Sequence, residues 1–163
     1  MEITLIAAVA ENNVIGSKND IPWYISEDIG RFKKLTVRGA VIMGRKTYDS
    51  ILKRNKGPLL GRINIVLSRN KKREFHDVYI AGTIDEALQI ADCFRSSIYV
   101  IGGQSVYEQT INLQETKRLE ITEIKRDYNG DTFFPKIELN IWKQEKREEK
   151  EGFDYVSYIK KYN

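Results

Sequence analysis

Residues 21–36 read IPWYISEDIGRFKKLT and set two acids, Glu27 and Asp28, side by side. On a helix of about 3.6 residues per turn, Ile25, Asp28, Ile29 and Phe32 share one face, while Glu27 joins Arg31 and Lys34 on the polar side. An unpaired carboxylate within an apolar stripe is costly, so Asp28 requires an explanation. A first-turn acid near the helix dipole is the plainer account, and it serves Glu27 equally well.

Two glycine-bearing strand ends have the makings of phosphate sites. VIMGRKTYDSI passes from a strand through Gly44 into a helix expected from Lys46. Arg45, Lys46 and Thr47 add charge and a hydroxyl where free N–H groups and the dipole already attract anions. In YVIGGQSVYEQ, Gly102 and Gly103 let the backbone approach a ligand closely before a helix expected from about Gln104. Neither stretch matches G-x-G-x-x-G or the Walker pattern. Each alone reads equally well as a strand-to-helix turn, but two in one small α/β chain suit a dinucleotide lying across the carboxyl edge of a sheet. A third strand end brings Ser68 and Arg69, with Lys71 and Lys72 beyond. These either read an extra phosphate on a cofactor ribose or form a polar loop.

The elements that must hold these residues follow from the hydrophobic pattern. ITLIAAVA, AVIMG, INIVLS, VYIAG and SIYVIGG are apolar and rich in β-branched residues. Several do not alternate, as expected of strands covered on both faces. Helical stretches lie between them. The clearest is TIDEALQIADCF, with Thr83 and Glu86 as a capping box and Ile84, Ala87, Leu88 and Ala91 as its buried stripe. Alternation of strand and helix to about residue 112 predicts a mainly parallel sheet with crossovers. RLEITEI, IWKQEKREE and FDYVSYIKKY then read as strands, the last two joined at EKEG into an antiparallel hairpin. The charges of KQEKREEKE suit the solvated face of an edge strand.

Bulk properties exclude several classes. A chain of 163 residues suits one domain, residues 1–163, that buries roughly 70% of its unfolded surface. Hydrophobic residues at 41% and charged residues at 31% describe a globular protein, and the +4 net charge is spread along the chain without a nucleic-acid motif. A single cysteine, Cys93, excludes an internal disulfide and suits a reducing compartment, hence the cytoplasm; it reads as a partly buried packing residue. With one cysteine and one histidine, His76 in a charged loop, no zinc cluster can form, and no G-x-S-x-G elbow supports a hydrolase. The opening MEITLIAAVAENN reads as a buried strand and not as a signal peptide, and no run is long enough to span a membrane.

The motifs IAAVAENNVIG, IPW, SEDIGRFKKLT, VIMGRKTYDSI, LLGRINIVLSR, VIGGQSVYEQ, LEIT and GDTFFP occur in the order and spacing of one family. Over essentially its full length the chain resembles the dihydrofolate reductases. The resemblance implies an α/β three-layer sandwich, with a mainly parallel eight-stranded sheet, an antiparallel C-terminal hairpin and flanking helices. It also implies NADPH-dependent reduction of 7,8-dihydrofolate to tetrahydrofolate by a cytoplasmic monomer, with antifolate inhibitors as further ligands and no metal.

By the same resemblance, Asp28 is the acid of the pterin pocket, Thr122 is its hydroxyl partner and Trp23 stands near it through water. Ile6, Ala7 and Ala8 line the pocket; Ile29, Phe32 and Ile51 hold the pterin and benzoyl parts. Arg62 grips the glutamate α-carboxylate, although on its own it reads as a surface arginine after a turn. Residues 11–23 match a loop that closes over the nicotinamide, with Ile15, Gly16, Asn19 and Ile21 on the cofactor side. Gly44, Arg45, Lys46, Thr47, Leu67, Ser68 and Arg69 would contact NADPH, as would Ile101, Gly102, Gly103, Gln104, Ser105, Val106 and Tyr107. Tyr107 also counts among the catalytic residues. The chain departs from the common family pattern at Leu60 in PLLGR, at Ser26, at Gln104 and in a longer segment over residues 53–57. Three other readings need fewer of these residues: a related reductase acting on a riboflavin-pathway pyrimidine, a non-catalytic NADPH-binding module, and a basic nucleic-acid-binding protein.

Overall fold

A computed structural model describes residues 1–70 and 77–162. The chain runs through β1 (Ile3–Ala10), β2 (Val14–Gly16), α1 (Ser26–Thr36), β3 (Ala40–Gly44), α2 (Arg45–Asn55), β4 (Ile63–Leu67) and β5 (Tyr79–Ala81). It continues through α3 (Ile84–Cys93), β6 (Ile98–Gly102), α4 (Gln104–Thr110), β7 (Thr116–Ile124), β8 (Thr132–Phe133), β9 (Trp142–Glu149) and β10 (Phe153–Lys160). Expectations for Lys71, Lys72 and His76 lie outside the described residues.

Eight strands make one sheet in the order β5-β4-β3-β6-β1-β7-β10-β9. The pairings from β5 across to β7 are parallel, and β10 runs antiparallel to both β7 and β9. This is the mainly parallel sheet with a C-terminal hairpin that the pattern predicts. The non-alternating runs are explained by burial on both faces: Ala40, Val41, Ile42 and Met43 of β3 are all buried. On one face Ile3, Leu5, Ile42, Ile65 and Val100 meet Ala87, Leu88 and Ala91 of α3. On the other, Val41, Met43 and Val66 pack with Tyr48 of α2 and Leu59.

Four local expectations need correction. Cys93 is exposed, because it falls two residues past Ala91 and so off the buried stripe of α3. Thr83 Oγ1 does accept the Glu86 N–H at 3.1 Å, but the Glu86 carboxylate accepts from Gly82 N at 2.7 Å, one residue before the cap. α2 begins at Arg45, not Lys46. Arg31 does not stand on a solvated face: its guanidinium turns back to the sheet and lies 4.2 Å from the centroid of the Tyr155 ring. Two short strands, β2 and β8, form a separate ribbon that the hydrophobic pattern does not reveal.

Two helices face the carboxyl edge of the sheet with their polar and apolar sides unevenly covered. α1 fully buries only Thr36, and Ile29 on its apolar stripe is 49% exposed. Ile29 thus faces open space, while Ile25 and Phe32 on either side of it pack on the core. α2 stops at Lys56, which is in the left-handed conformation (φ 57°) with its N–H bonded to Leu52 O.

Candidate active site

Because β1, β3, β4, β6 and β7 are parallel, their carboxyl ends reach the same edge of the sheet. That edge gathers Ala8, Gly44, Leu67, Gly102 and Thr122. In open parallel sheets ligands bind along this edge, in crevices that loops and helix N-termini complete.

Asp28 lies over β7, and Thr122 donates from Oγ1 to its Oδ1 at 2.5 Å. Thr122 is buried and sits opposite Ala8 of β1 on one side and Tyr155 of β10 on the other. Burial of the Asp28 carboxyl raises its pKa above the ordinary aspartate value; the Thr122 hydrogen bond and then Arg31 pull against that, and Glu27 adds to it. The acid is therefore half-desolvated and has one protein donor, which leaves acceptor capacity for a ligand. Trp23 stands in the adjoining aromatic cluster, its ring 5.0 Å from that of Tyr128, with Ile25, Ile124, Phe153 and Tyr155 around it.

Farther along α1, Phe32 packs with Ile51, Leu52, Met43 and Leu59. Beyond it, Arg62 donates from Nε to Leu60 O at 3.0 Å and from Nη1 to Thr36 Oγ1 at 3.2 Å, and its guanidinium lies 6.0 Å from the Phe32 ring centroid. Partial burial lowers the Arg62 pKa. Asp28, Ile29, Phe32, Ile51 and Arg62 thus line one continuous wall, an acid at the inner end and an arginine at the outer. At the floor, Ile6 and Ala7 are buried, and Ile6 O accepts from the Tyr107 hydroxyl at 2.6 Å. Burial pushes the Tyr107 phenol well above its ordinary pKa.

The glycine ends meet each other. Gly102 has φ +135°, and a Cβ there would stand 3.2 Å from Thr47 Oγ1 and 3.6 Å from the Tyr107 hydroxyl. Gly44 lies alongside, its Cβ direction running toward Val106 and the Gly102–Gly103 backbone. Gly44 caps α2 without a side-chain bond, and the first turn of α2 holds no acid. Arg45 and Lys46 are exposed there, Arg45 within 3.2 Å of Asp49. Ser68 is buried and hydrogen-bonded to the Asn70 backbone, and Arg69 is exposed at the same edge. Ile101 packs on the α2 side of the sheet, and Ser105 accepts from Gln109 on the outer face of α4. Gln104 accepts the Phe133 N–H at 2.9 Å, tying α4 to β8.

The loop over residues 11–23 is tethered from three directions. Ile15 packs on the core, Gly16 O accepts from Asp131 N at 3.0 Å, and Lys18 N donates to Asp131 Oδ2 at 3.1 Å. Ser17 and Asp20 pair around Asn19, which has φ +62°, and Asp20 forms an ion pair with Arg54 in the last turn of α2. Ile21 is next in the chain, 41% exposed toward the cleft mouth. Sequence reasoning passes over Asp131, the Asp20–Arg54 pair, Tyr155 and Glu120. Only Glu120 leaves a readable signal: an acid inside the apolar LEITEI, two residues before Thr122 and so on the same face of the strand.

Comparison with known proteins agrees with this fold. The family model described as dihydrofolate reductase matches residues 2–162. Among curated proteins, the chain is 40% identical to a dihydrofolate reductase type 3 from Salmonella typhimurium, over 97% of this chain and 93% of that protein. It is 37% identical to a dihydrofolate reductase from Neisseria meningitidis serogroup A, over 98% and 99% of the two chains. Among solved structures, a dihydrofolate reductase from Enterococcus faecalis, complexed with NADP(H) and RAB-propyl, superposes with a TM-score of 0.84 at 29% identity, covering 98% of this chain and 96% of that one. The family match spans nearly the whole chain and the relatives share more than a third of its residues, so the chain belongs to the dihydrofolate reductase family.

Proposed function

We propose that residues 1–163 form one domain that reduces 7,8-dihydrofolate to 5,6,7,8-tetrahydrofolate with NADPH, acting as a cytoplasmic monomer without metal or nucleic acid. The observation that carries this reading is Asp28, half-desolvated on the cleft face of α1 and held by Thr122. A pterin presents an amino group and a ring N–H side by side, and two carboxylate oxygens match them as a pair, fixing orientation as well as affinity. Antifolates with the same donor pair would compete there. Ile6, Ala7 and Ala8 form the floor under the ring, Ile29, Phe32 and Ile51 hold the pterin and benzoyl parts, and Arg62 meets the glutamate α-carboxylate with its two-pronged guanidinium.

The sheet edge fits the cofactor. Gly102 leaves open a space that a Cβ would fill against Thr47. The uncapped α2 N-terminus, with Arg45 and Lys46, and the Ser68–Arg69 end supply donors and positive charge for phosphates. Gly44, Leu67, Ile101, Gly103, Gln104, Ser105 and Val106 complete that wall. When bound, NADPH supplies the hydride that reduces the pterin at C6. Tyr107, bonded to Ile6 O, ties α4 to β1 where both ligands meet. Ile15, Gly16, Asn19 and Ile21 close the loop over the meeting point and keep water out. The N5 proton comes from a water that reaches the ring, and Asp28 with Trp23 favours the pterin form that accepts it.

The test is NADPH oxidation with and without dihydrofolate, in the parent and in Asp28→Asn. Oxidation that requires dihydrofolate and falls roughly 100-fold or more in the variant is the expected result. NADPH binding without dihydrofolate-dependent turnover would transfer the assignment to the pyrimidine reductase or to the non-catalytic module.

A further inference from the structure

The helix that carries Asp28 is poorly held by hydrophobic packing, since Thr36 is its one fully buried residue. Yet a ligand-orienting carboxylate needs to be placed within a fraction of an ångström. Apart from Phe32, the contacts that seat α1 are polar. Arg31, one turn beyond Asp28, donates from Nη2 to Glu120 Oε2 at 2.9 Å and lies over the Tyr155 ring at 4.2 Å. Glu120 is buried, at 8% exposure, in the middle of β7. Its Oε2 also accepts from Ser157 Oγ at 2.7 Å, and Arg118 stands 3.4 Å from Oε1. Glu27 forms its own ion pair with Lys150 at 2.8 Å, in the turn between β9 and β10.

Two periodicities bring these contacts into register. Glu120 and Thr122 are two apart on a strand and project from one face; Asp28 and Arg31 are three apart on a helix and share another. The strand face therefore meets the helix face on two rungs, Thr122 to Asp28 and Glu120 to Arg31.

We infer that the Arg31–Glu120 pair is a positioning device for Asp28: Glu120 holds α1 on β7 and keeps the Arg31 guanidinium turned away from the pterin acid. The inference rests on the reading of Asp28 as that acid. The groups facing Asp28 are Glu27 and Arg31 from its own helix, Thr122 and Glu120 with Arg118 behind them from β7, Tyr155 and Ser157 from β10, Lys150 from the turn and Trp23 from the loop. Arg31 is the cation whose field lowers the Asp28 pKa, against burial, which raises it most. Freed from Glu120, the guanidinium carries an uncompensated charge, and a swing toward Asp28 would occupy the oxygens that the pterin needs. Without Arg31, the buried Glu120 keeps only Ser157 and the longer contact to Arg118, and its negative charge acts on Asp28 one rung away. The pair therefore bears on the charge of Asp28 in opposite senses when cut from opposite ends.

A ligand-free titration reads this directly. Carboxyl ¹³C resonances of aspartate-labelled protein are followed against pH, and the Asp28 signal is identified as the one lost in Asp28→Asn. Arg31→Gln should raise the Asp28 midpoint and Glu120→Gln should lower it, each by on the order of one pH unit. The double variant should return near the parent. Both single variants should raise the KM for dihydrofolate about tenfold while leaving NADPH affinity unchanged, because α1 carries none of the proposed cofactor residues. A midpoint that stays put in either single variant, or that moves the same way in both, overturns the inference. Should a glutamine variant fail to fold, Glu120→Asp carries the test: its shorter reach must lower the midpoint, and no movement overturns the inference equally. Because no ligand is used, the electrostatic result stands apart from catalysis. Full dihydrofolate turnover in Asp28→Asn would instead remove the catalytic reading itself.

Discussion

At the scale of single residues, Asp28 serves the ligand at the expense of the empty fold. Burial raises its pKa above the ordinary value of 3.8, so the folded state holds the proton more tightly than the unfolded chain does. The stability contributed by that proton is complete below the ordinary value and is lost as pH rises through the raised one. Asp28→Asn has no such dependence and still offers Thr122 an acceptor. The variant should melt above the parent at pH 7, and calorimetry should show the gap closing as pH falls toward 4; a gap independent of pH would disprove the linkage. Arg62 can be examined by the same logic of difference. Two of its N–H groups are committed to Leu60 O and Thr36 Oγ1, and the rest are available to a carboxylate. A charge-assisted hydrogen bond contributes about 1.5–3 kcal/mol, so Arg62→Gln should raise the KM for dihydrofolate by roughly 10- to 100-fold with little change in kcat. A pterin substrate lacking the glutamate tail should show equal KM in both enzymes, and a penalty that persists there would show that Arg62 acts on the helix and not on the tail.

At the scale of elements, what can be read from the sequence depends on how each element is stabilised. The strands of the main sheet and helix α3 are legible because buried apolar runs and a period of 3.6 write themselves into residue type. The Asp28–Thr122 meeting is legible only through family motifs, since 94 residues separate the partners and no local pattern links them. The β2–β8 ribbon leaves no trace: strands of three and two residues are too short to alternate, and they are fixed by backbone fit. Helical spacing puts Arg31 on the solvated side because it fixes where Cα points and not where a long arm bends. The ribbon rests on Gly130, where a Cβ would come within 2.3 Å of Val14 Cγ1 and 2.5 Å of Gly16 O. Gly130→Ala must therefore push apart the two segments that bind Asp131 to residues 16–18. Urea unfolding should show a loss of about 1–3 kcal/mol, typical of overpacking. Weaker NADPH binding should accompany it, because the loop is displaced; stability and affinity equal to the parent would show that the ribbon contributes nothing.

At the scale of the whole molecule, both free edges of the sheet are unsuited to pairing with another copy. β5 is only three residues long, and β9 is exposed along all but Trp142 and carries acids and bases of mixed sign. Among the described residues, apolar surface is left uncovered in the cleft at Ile21 and Ile29, and elsewhere only at scattered side chains such as Tyr24, Leu60 and Leu139. Stability should therefore respond to small ligands and not to the protein's own concentration. A ligand that binds only the folded state adds about 2.7 kcal/mol at a hundred times its Kd. For a chain of 163 residues, each kcal/mol is worth roughly 2–4 °C, which predicts a Tm rise of roughly 5–10 °C with NADPH at that excess. Scanning calorimetry over a twentyfold range of protein concentration should leave the ligand-free Tm in place, whereas an NADPH series should raise it in step with the logarithm of free NADPH. A Tm that climbs with protein concentration would mean that one of the blunted edges pairs after all. A Tm indifferent to NADPH would mean that the glycine-lined edge between Gly44 and Gly103, with its cationic α2 N-terminus, does not hold the cofactor.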